Sequence, residues 1–274
     1  MQTVTSHGAA IPALGFGVFR MSDAEVERVV PVALEAGFRH FDTAQIYANE
    51  AALGRALHAA GARRGDLFLT TKVWVDNYSP DRFAASVGES LDKLGTDHVD
   101  LLLLHWPGDR VPVAAQVEML DAVQVAGHAR HIGVSNQNIA QMRAAAVQAV
   151  APIVTNQVEL HPYLPQHALT AAAKAEGIAL TAYYGMADGA VPRDPVLRRI
   201  GARHGKTAAQ VGLRWLIEQG HIALSKTANP ARVKENIAIF DFALDPTDLA
   251  DIAGLARPDG RIVSPVGLAP AWDA

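Results

Sequence analysis

The chain has 274 residues, of which 50% are hydrophobic and 19% are charged, and its formal net charge is −4. That length and composition suit one large α/β domain with a substantial core. The charge balance does not indicate a basic surface of the kind that binds nucleic acid. Without cysteine, disulfides, thiolate nucleophiles and cysteine-ligated metal sites are excluded. We see no signal-peptide pattern and no apolar run of about 20 residues, so we expect a cytoplasmic protein without a membrane partner.

Strand patterns recur along the whole chain. A short β-hairpin, turning at His7 and Gly8, is predicted first. Eight apolar or β-branched runs then predict strands at residues 14–17, 38–42, 67–73, 99–105, 131–135, 154–159, 179–183 and 222–226. Each interval except the last has room for one strand, one helix and loops. The last interval is long enough for two helices.

The helices between these strands have recognisable ends. Ser22 and Glu25 form a capping-box pattern before a helix at 24–35, and Pro80 suits the first turn of a helix at 81–94. Further helices are predicted at 112–126, 166–176, 195–204 and 207–219, mostly ending before a glycine. Repeated strand–helix order predicts right-handed crossovers and a parallel sheet.

Eight such units favour closure into a (β/α)₈ TIM barrel, which is an α/β fold, over the alternative of an open doubly wound sheet. We therefore predict a single barrel domain over residues 1–274, with the N-terminal hairpin and extra helices near the C-terminus. Gly15 and Gly17 begin like a dinucleotide-binding glycine motif, but Arg20 replaces the third glycine. The Rossmann fingerprint is therefore absent, as is a P-loop.

Polar residues follow three of the predicted strands. Asp42, Lys72 and His105 stand at strand ends, and Tyr47 lies five residues beyond the aspartate. A barrel would bring these ends to one face. A lysine beside a tyrosine is expected to lower the pKa of the hydroxyl from about 10, while an aspartate holds the lysine in place. Such a group of residues can protonate an alkoxide as it forms, with the histidine orienting a carbonyl.

Plainer interpretations remain open at this point. Asp42 and Lys72 could form a structural ion pair, His105 could be an ordinary semi-buried histidine, and Tyr47 a loop tyrosine. His40 and Asp42 face one side of a strand and, with His105, could hold a metal, as in barrel hydrolases. A metal-dependent hydrolase would lose activity on chelation and would not need a nicotinamide. We predict no metal, because Lys72 would crowd a cation.

The sequence resembles the aldo-keto reductase family over essentially its whole length. The motifs that carry the resemblance occur in family order: GFRHFDTAQIYANEAALG, LTTKVW, LLLLHWP, GVSNQ, TNQVELHPYL and SKTANPARVKENI. The ending DGRIVSPVGLAPAWDA is similar to that of the bacterial 2,5-diketo-D-gluconate and methylglyoxal reductase branch. The resemblance implies a catalytic tetrad of Asp42, Tyr47, Lys72 and His105, with Tyr47 as the acid.

The resemblance also implies NADPH as cofactor. Ser135, Asn136 and Gln157 would hold its carboxamide, Tyr183 would stack on the nicotinamide, and Gly17 would lie beside it. In the segment 226–232, Lys226 and Arg232 supply cations and Thr227 a hydroxyl for a ribose 2′-phosphate, and Glu235 and Asn236 would reach the adenine. The alternative for this segment is an ordinary solvated basic turn.

Two regions depart from the family pattern. Tyr184 stands where the family has a pyrophosphate-binding serine, so the course of residues 184–193 and the hold on the pyrophosphate are not predicted. The segment 187–193 is short, so we expect it to fold over the pyrophosphate only slightly. Phe19 replaces a common tryptophan in the substrate pocket. The remaining predicted pocket residues are Trp74, Tyr78, Trp106 and Trp272, although aromatics at strand ends could instead cap the core.

We therefore expect a monomeric, NADPH-dependent reductase of small aldehydes and α-ketocarbonyls, such as methylglyoxal or 2,5-diketo-D-gluconate. The alternative is a non-catalytic nicotinamide-binding regulatory subunit. The intact tetrad and the short form without appended domains favour the enzyme.

Overall fold

A computed structural model describes residues 2–108 and 110–273 and contains a closed parallel barrel. Its strands are β3 (Leu14–Gly17), β4 (His40–Asp42), β5 (Phe68–Val73), β6 (Val99–Leu104), β7 (Ala129–Ser135), β8 (Ile153–Glu159), β9 (Ala179–Tyr183) and β10 (Ile222–Ser225). They follow one another in chain order, and β10 pairs with β3 to complete the ring. The predicted (β/α)₈ barrel is confirmed, and the open sheet is ruled out by this closure.

Ten α-helices lie within the described residues. They are α1 (Asp23–Ala36), α2 (Glu50–Ala59), α3 (Phe83–Leu94), α4 (Val113–Val125), α5 (Ile139–Gln148), α6 (His167–Ala175), α7 (Pro195–His204), α8 (Ala208–Glu218), α9 (Pro230–Ile237) and α10 (Pro246–Ala253). The Ser22–Glu25 capping box of α1 is confirmed. Pro80, predicted in the first turn of a helix, lies instead in the turn before α3.

Helices α2 and α5 were not predicted; α5 has no glycine at its end, whereas α2 is followed by Gly61, which has a positive φ of 69°. Their C-caps are Ala60 and Ala149. Gly54 also interrupts the pattern of α2, and a packing reason explains it. A Cβ at Gly54 would lie 2.5 Å from the backbone oxygen of Lys93 on α3. The glycine therefore permits the close approach of α2 to α3.

The N-terminal hairpin closes the end of the barrel opposite the strand C-termini. Strands β1 (Thr3–Ser6) and β2 (Ala9–Pro12) are antiparallel and turn at His7 and Gly8, as predicted. Both turn residues have positive φ, of 45° and 85°, which suits a tight two-residue hairpin. Ala9 and Ile11 pack against residues from the barrel interior, including Leu101, Val154 and Ile222. None of the described helices is long and apolar enough to cross a bilayer.

Because two histidines are buried, we expect the free energy of unfolding to fall at acid pH. Burial lowers the pKa of His40 to about 4, and burial does the same for His221. An unfolded chain binds protons on these rings near pH 6.5, so between pH 6.5 and 4 the unfolded state holds more protons. The free energy of unfolding should therefore fall as pH falls through that window, by about 3 kcal/mol for His40 alone.

Chemical denaturation at pH 7 and pH 5 measures this effect. The His40→Gln variant should show a smaller loss between the two pH values than the wild type, since it lacks one titrating ring. Carboxylates that titrate in the same range are common to both proteins and cancel in the comparison. An equal loss in both proteins would show that His40 does not contribute to the pH dependence.

Candidate active site

A buried lysine lies at the centre of the group of polar residues predicted at the strand ends. Lys72, on β5, is 1% exposed, and its Nζ donates to Asp42 Oδ1 at 2.6 Å and to the backbone oxygen of Thr43 at 2.9 Å. A third contact, of 3.4 Å, reaches the hydroxyl of Tyr47. Burial lowers the pKa of the Lys72 ammonium, and the charge of Asp42 opposes this. The ion pair therefore holds a cation beside the tyrosine in a site shielded from water.

Tyr47 belongs to a short 3₁₀ turn, Gln45–Tyr47, that follows β4. Loss of hydration raises the pKa of its hydroxyl well above 10, and the negative charge of Asp42 raises it further. The pKa of the Tyr47 hydroxyl is therefore raised, whereas the sequence predicted a lowered one. The hydroxyl keeps its proton throughout the physiological pH range, so it is available as a proton donor.

His105 completes the set one residue beyond the end of β6. Its ring lies edge-on to Tyr47, with centroids 5.6 Å apart, and edge-on to Trp74 at 5.3 Å. Burial lowers its pKa well below 6.5, and the Lys72 charge lowers it further. A neutral imidazole has one N–H to donate. The four predicted residues are thus together at one end of the barrel.

An open cavity of about 520 Å³ lies over this group and extends across the mouth of the barrel. Twelve of the predicted site residues line it: Gly17, Phe19, Asp42, Tyr47, Trp74, His105, Trp106, Ser135, Asn136, Gln157, Tyr183 and Lys226. Lys72 lies behind Asp42 and Tyr47 rather than in the lining. The cavity therefore joins the tetrad to the end of β10.

Residues predicted to hold a carboxamide form one hydrogen-bonded network. Gln157 Nε2 donates to Asp42 Oδ2 at 2.8 Å, and Ser135 Oγ donates to the backbone oxygen of Gln157 at 2.7 Å. Asn136 Nδ2 donates to the backbone oxygen of His105 at 3.0 Å, while its Oδ1 accepts from the hydroxyl of Tyr183 at 2.5 Å. The network links the ends of five strands, β4, β6, β7, β8 and β9, and fixes these groups relative to the tetrad.

The basic segment leads from the end of β10 into α9. Lys226 and Arg232 are exposed, and Thr227 Oγ1 accepts from the backbone N–H of Asn229 at 3.1 Å. Glu235 accepts a hydrogen bond from Thr207 Oγ1 at 2.7 Å. Asn236 is buried, and its side-chain amide donates to Ser225 Oγ at 2.9 Å. Of the residues predicted here, Lys226 lines the cavity, whereas Thr227, Arg232, Glu235 and Asn236 do not.

Two aromatic residues predicted in the substrate pocket lie outside its lining. Tyr78 is buried, donates its hydroxyl to the backbone oxygen of Trp106 at 3.0 Å, and packs on Phe83. Trp272 packs edge-on to Trp106 with centroids 6.5 Å apart and is not part of the cavity lining. Both residues support Trp106, so they act on the pocket wall from behind.

Several cavity residues were not predicted from the sequence. Arg20 Nη1 donates to the hydroxyl of Tyr184 at 3.0 Å, joining the loop after β3 to the loop after β9. Both residues have positive φ, of 55° and 58°. The remaining unpredicted lining residues are Ile46, Gly185, Met186, Asp188, Gly189, Leu224, Val263, Pro265 and Leu268. Leu224 lies on β10 and Ile46 in the turn Gln45–Tyr47, whereas the others come from loops whose course depends on tertiary contacts.

Gln45 is a further unpredicted residue with a clear role. Its Oε1 accepts from the backbone N–H of Trp74 and from Asn77 Nδ2, both at 2.9 Å. Its Nε2 donates to the backbone oxygen of Ser86 at 3.0 Å. One amide thus ties the turn that carries Tyr47 to the loop that carries Trp74 and to α3.

The residues considered for a metal are separated. His40 bonds to Thr70 Oγ1 at 3.1 Å inside the barrel, and the Lys72 ammonium contacts the Asp42 carboxylate. In the described part of the chain, no three His, Asp or Glu residues are grouped as a metal site requires.

Known proteins resemble this chain in sequence and in fold. The model of the aldo/keto reductase family matches residues 13–257. The methylglyoxal reductase DkgB of Salmonella typhimurium is 44% identical over 266 residues, covering 96% of this chain and 99% of that protein. The protein of the same description from Escherichia coli O157:H7 is 43% identical over 267 residues, covering 96% and 100%.

A solved structure described as "a putative 2,5-diketo-D-gluconic acid reductase B" is 62% identical, with a TM-score of 0.99 over 100% of this chain and 98% of that one. An aldo/keto reductase from Brucella melitensis is 39% identical, with a TM-score of 0.86 over 92% and 100%. Both the sequence and the fold are matched along nearly the whole chain. The chain therefore belongs to the aldo/keto reductase family and is an oxidoreductase.

Proposed function

We propose that the protein reduces small aldehydes and α-ketocarbonyls with NADPH, and that Tyr47 delivers the proton. The observation that carries the proposal is the position of the Lys72 ammonium, between Asp42 and the Tyr47 hydroxyl at the base of the cavity. Family membership supports carbonyl reduction, and the relatives named above as methylglyoxal reductases support a small dicarbonyl substrate.

The residues of the cavity fit a nicotinamide dinucleotide. A Cβ added at Gly17 would meet no atom within 4 Å, so this glycine leaves space at the mouth beside the tetrad. Lys226 and Arg20 line the cavity and offer cations to phosphates, while Ser135, Asn136, Gln157 and Tyr183 surround the end nearest Tyr47. NADPH, when bound, supplies the hydride that reduces the carbonyl carbon.

Chain residues account for the rest of the chemistry. The neutral His105 ring donates its N–H to the carbonyl oxygen and orients it. As negative charge develops on that oxygen, the Tyr47 hydroxyl donates its proton there. The nearby Lys72 ammonium stabilises the phenolate that forms, and Asp42 keeps the ammonium charged and in place. The high pKa of Tyr47 ensures that the hydroxyl is protonated before the reaction.

The walls of the cavity favour small, activated carbonyls. Around the tetrad the lining is mostly apolar and includes Phe19, Trp74, Trp106 and Leu268. A pocket with few polar groups gives modest binding, so substrates with electron-withdrawing neighbours should react best.

The substrate test is a comparison of kcat/KM, with NADPH, for methylglyoxal, 2,5-diketo-D-gluconate and a bulky ketosteroid. We expect both small compounds to exceed the steroid, with high KM values, and reduction to be favoured over alcohol oxidation at neutral pH. A steroid preferred over both would contradict the substrate assignment and leave the reductase assignment intact. Tight NADPH binding without turnover of any carbonyl would favour the regulatory-subunit alternative.

Cofactor preference provides a separate prediction. Arg232 is exposed near the N-terminus of α9, and we expect it to contact the 2′-phosphate that NADPH has and NADH lacks. A lost charge-assisted hydrogen bond is worth about 1.5–3 kcal/mol, which is roughly ten- to a hundredfold in Kd. Arg232→Ala should therefore weaken NADPH binding by that factor and NADH binding much less.

Fluorescence titration with the two cofactors measures this difference. Lys234→Ala serves as the matched control, since it removes another exposed cation from the same helix. The Lys234 ammonium makes an ion pair of 3.9 Å with Glu35 on α1. An equal loss of NADPH and NADH affinity in Arg232→Ala would show that Arg232 does not read the 2′-phosphate.

A further inference from the structure

The C-terminal segment after α10, residues 254–273, crosses the mouth of the barrel. It contains turns but no helix or strand. Val263, Pro265 and Leu268 from this segment line the cavity. The shape of the substrate pocket therefore depends on contacts that hold an irregular segment in place.

One buried carboxylate makes the innermost of these contacts. Glu159, at the end of β8, is 0% exposed. Its Oε1 accepts from the backbone N–H of Ile262 and its Oε2 from that of Val263, both at 2.8 Å. His161 Nε2 lies 3.0 Å from Oε1. Both side-chain oxygens accept backbone hydrogen bonds in a site away from competing water, so this contact restrains the segment.

Glu159 also lies on the strand that organises the tetrad. Gln157, two residues earlier on β8, donates to Asp42, and Glu159 pairs in register with Tyr183 on β9. The position of Val263 is therefore set relative to Asp42 through a single rigid strand. Strand β8 therefore positions both the tetrad and the outer pocket wall.

The segment has other contacts on both sides of Ile262 and Val263. Arg257 N–H donates to the backbone oxygen of Tyr163 at 3.2 Å, and Arg261 Nη2 donates to Gln166 Oε1 at 3.2 Å. The contacts near the C-terminus are more exposed. Asp273 Oδ2 accepts from the backbone N–H of Ile139 at 2.9 Å, and Asn138 Nδ2 donates to the backbone oxygen of Ala271 at 3.0 Å. Arg261 stacks over Trp272 at 3.7 Å. Water competes with exposed hydrogen bonds, so these contacts should restrain the segment less than Glu159 does.

We propose that Glu159 is a positioning residue that sets the outer wall of the substrate pocket through Ile262 and Val263, and thereby limits the size of the carbonyl compound admitted. The effect on substrate selection rests on the proposed carbonyl reduction. The restraint on residues 254–273 does not depend on it. Glu159 itself does not line the cavity, so it acts through the segment it holds.

The test uses Glu159→Gln in the full-length protein. Glutamine keeps one acceptor oxygen and turns an N–H₂ group toward the other backbone N–H. One of the two bonds is therefore lost. Limited proteolysis should cleave residues 254–273 about ten- to a hundredfold faster, because the cleavage rate follows the open fraction of the segment. The Kd for NADPH should stay within a few-fold of the wild-type value.

Selectivity is the second measurement. The ratio of kcat/KM for a bulky aromatic aldehyde to that for methylglyoxal should rise about tenfold in Glu159→Gln, with the change in KM rather than in kcat. Val263→Ala should raise the same ratio without altering the buried carboxylate, so the proposal stays testable if Glu159→Gln fails to fold. Asp273→Ala, which removes an exposed end contact, is the matched control and should change the ratio little.

Each outcome bears on the proposal. Wild-type cleavage rates in a folded Glu159→Gln protein, or an unchanged ratio in Val263→Ala, would overturn it. An equal rise in the ratio for Asp273→Ala would also overturn it, since the exposed contact would then restrain the segment as much as Glu159 does. If the wild type reduced no carbonyl, the proposed function would fail, whereas the cleavage measurement would still report on Glu159.

Discussion

Replacing Tyr47 with phenylalanine should lower kcat/KM for carbonyl reduction by about 10²–10⁴-fold, the usual cost of losing a general acid. The hydroxyl lies 3.4 Å from Lys72 Nζ and carries the proton that the forming alkoxide needs. Phenylalanine keeps the ring that packs against Phe19, with centroids 4.9 Å apart, and against His105. The pocket wall should therefore persist while the chemistry is lost.

Steady-state kinetics with methylglyoxal and a separate titration of NADPH would check this expectation. The Kd for NADPH should be nearly unchanged, since the tyrosine hydroxyl acts on the transition state and not on the dinucleotide. Activity within a few-fold of the wild type would remove Tyr47 from the role of acid. A large rise in the Kd for NADPH would instead indicate a structural role.

The positions of Asp42, Lys72 and His105 could be predicted because the apolar strand pattern stops at the end of each strand and a polar residue appears there. In a parallel barrel the C-terminal ends of the strands share one face, so the topology alone brings such residues together. Tyr47 was placed by its short distance from Asp42 along the chain. Deriving these neighbours required only the strand order, which the alternation of strands and helices predicts.

The pKa of Tyr47 could not be predicted from which residues are neighbours. A lysine nearby suggested a lowered value, but the sign depends on how much water reaches the hydroxyl and on the separation from Asp42. In the structure, desolvation is the largest cause and raises the pKa. Which of these opposing effects on the pKa is larger depends on how deeply the hydroxyl is buried in the folded protein, and this cannot be deduced from the sequence.

The pocket walls were the least predictable part. Trp74 and Trp106 follow strands and line the cavity, as predicted, whereas Tyr78 and Trp272 contact Trp106 and do not line the cavity. Val263 and Leu268 come from a segment without regular structure, so periodicity carries no information about them. Their positions depend on contacts distant in sequence, such as the one between Glu159 and Val263, which joins residues 104 positions apart.

Replacing Lys72 with methionine should remove most activity and also destabilise the protein. The Asp42 carboxylate is 3% exposed and would lose the cation that is 2.6 Å away, keeping Gln157 as a hydrogen-bond donor. Removing one partner of a buried ion pair typically costs about 3–5 kcal/mol of folding free energy. Without the ammonium, the phenolate of Tyr47 would also lose its stabilising charge, so we expect kcat/KM to fall by about 10²-fold or more.

A double-mutant cycle separates the two effects. In Asp42→Asn with Lys72→Met both charges are gone, so much of the free energy of unfolding should return in denaturation experiments. Activity should not return, because the double variant still lacks a cation next to Tyr47. Recovery of kcat/KM in the double variant would contradict the assigned role of Lys72. A single Lys72→Met variant with wild-type stability would show that the buried pair is not coupled as its 2.6 Å separation indicates.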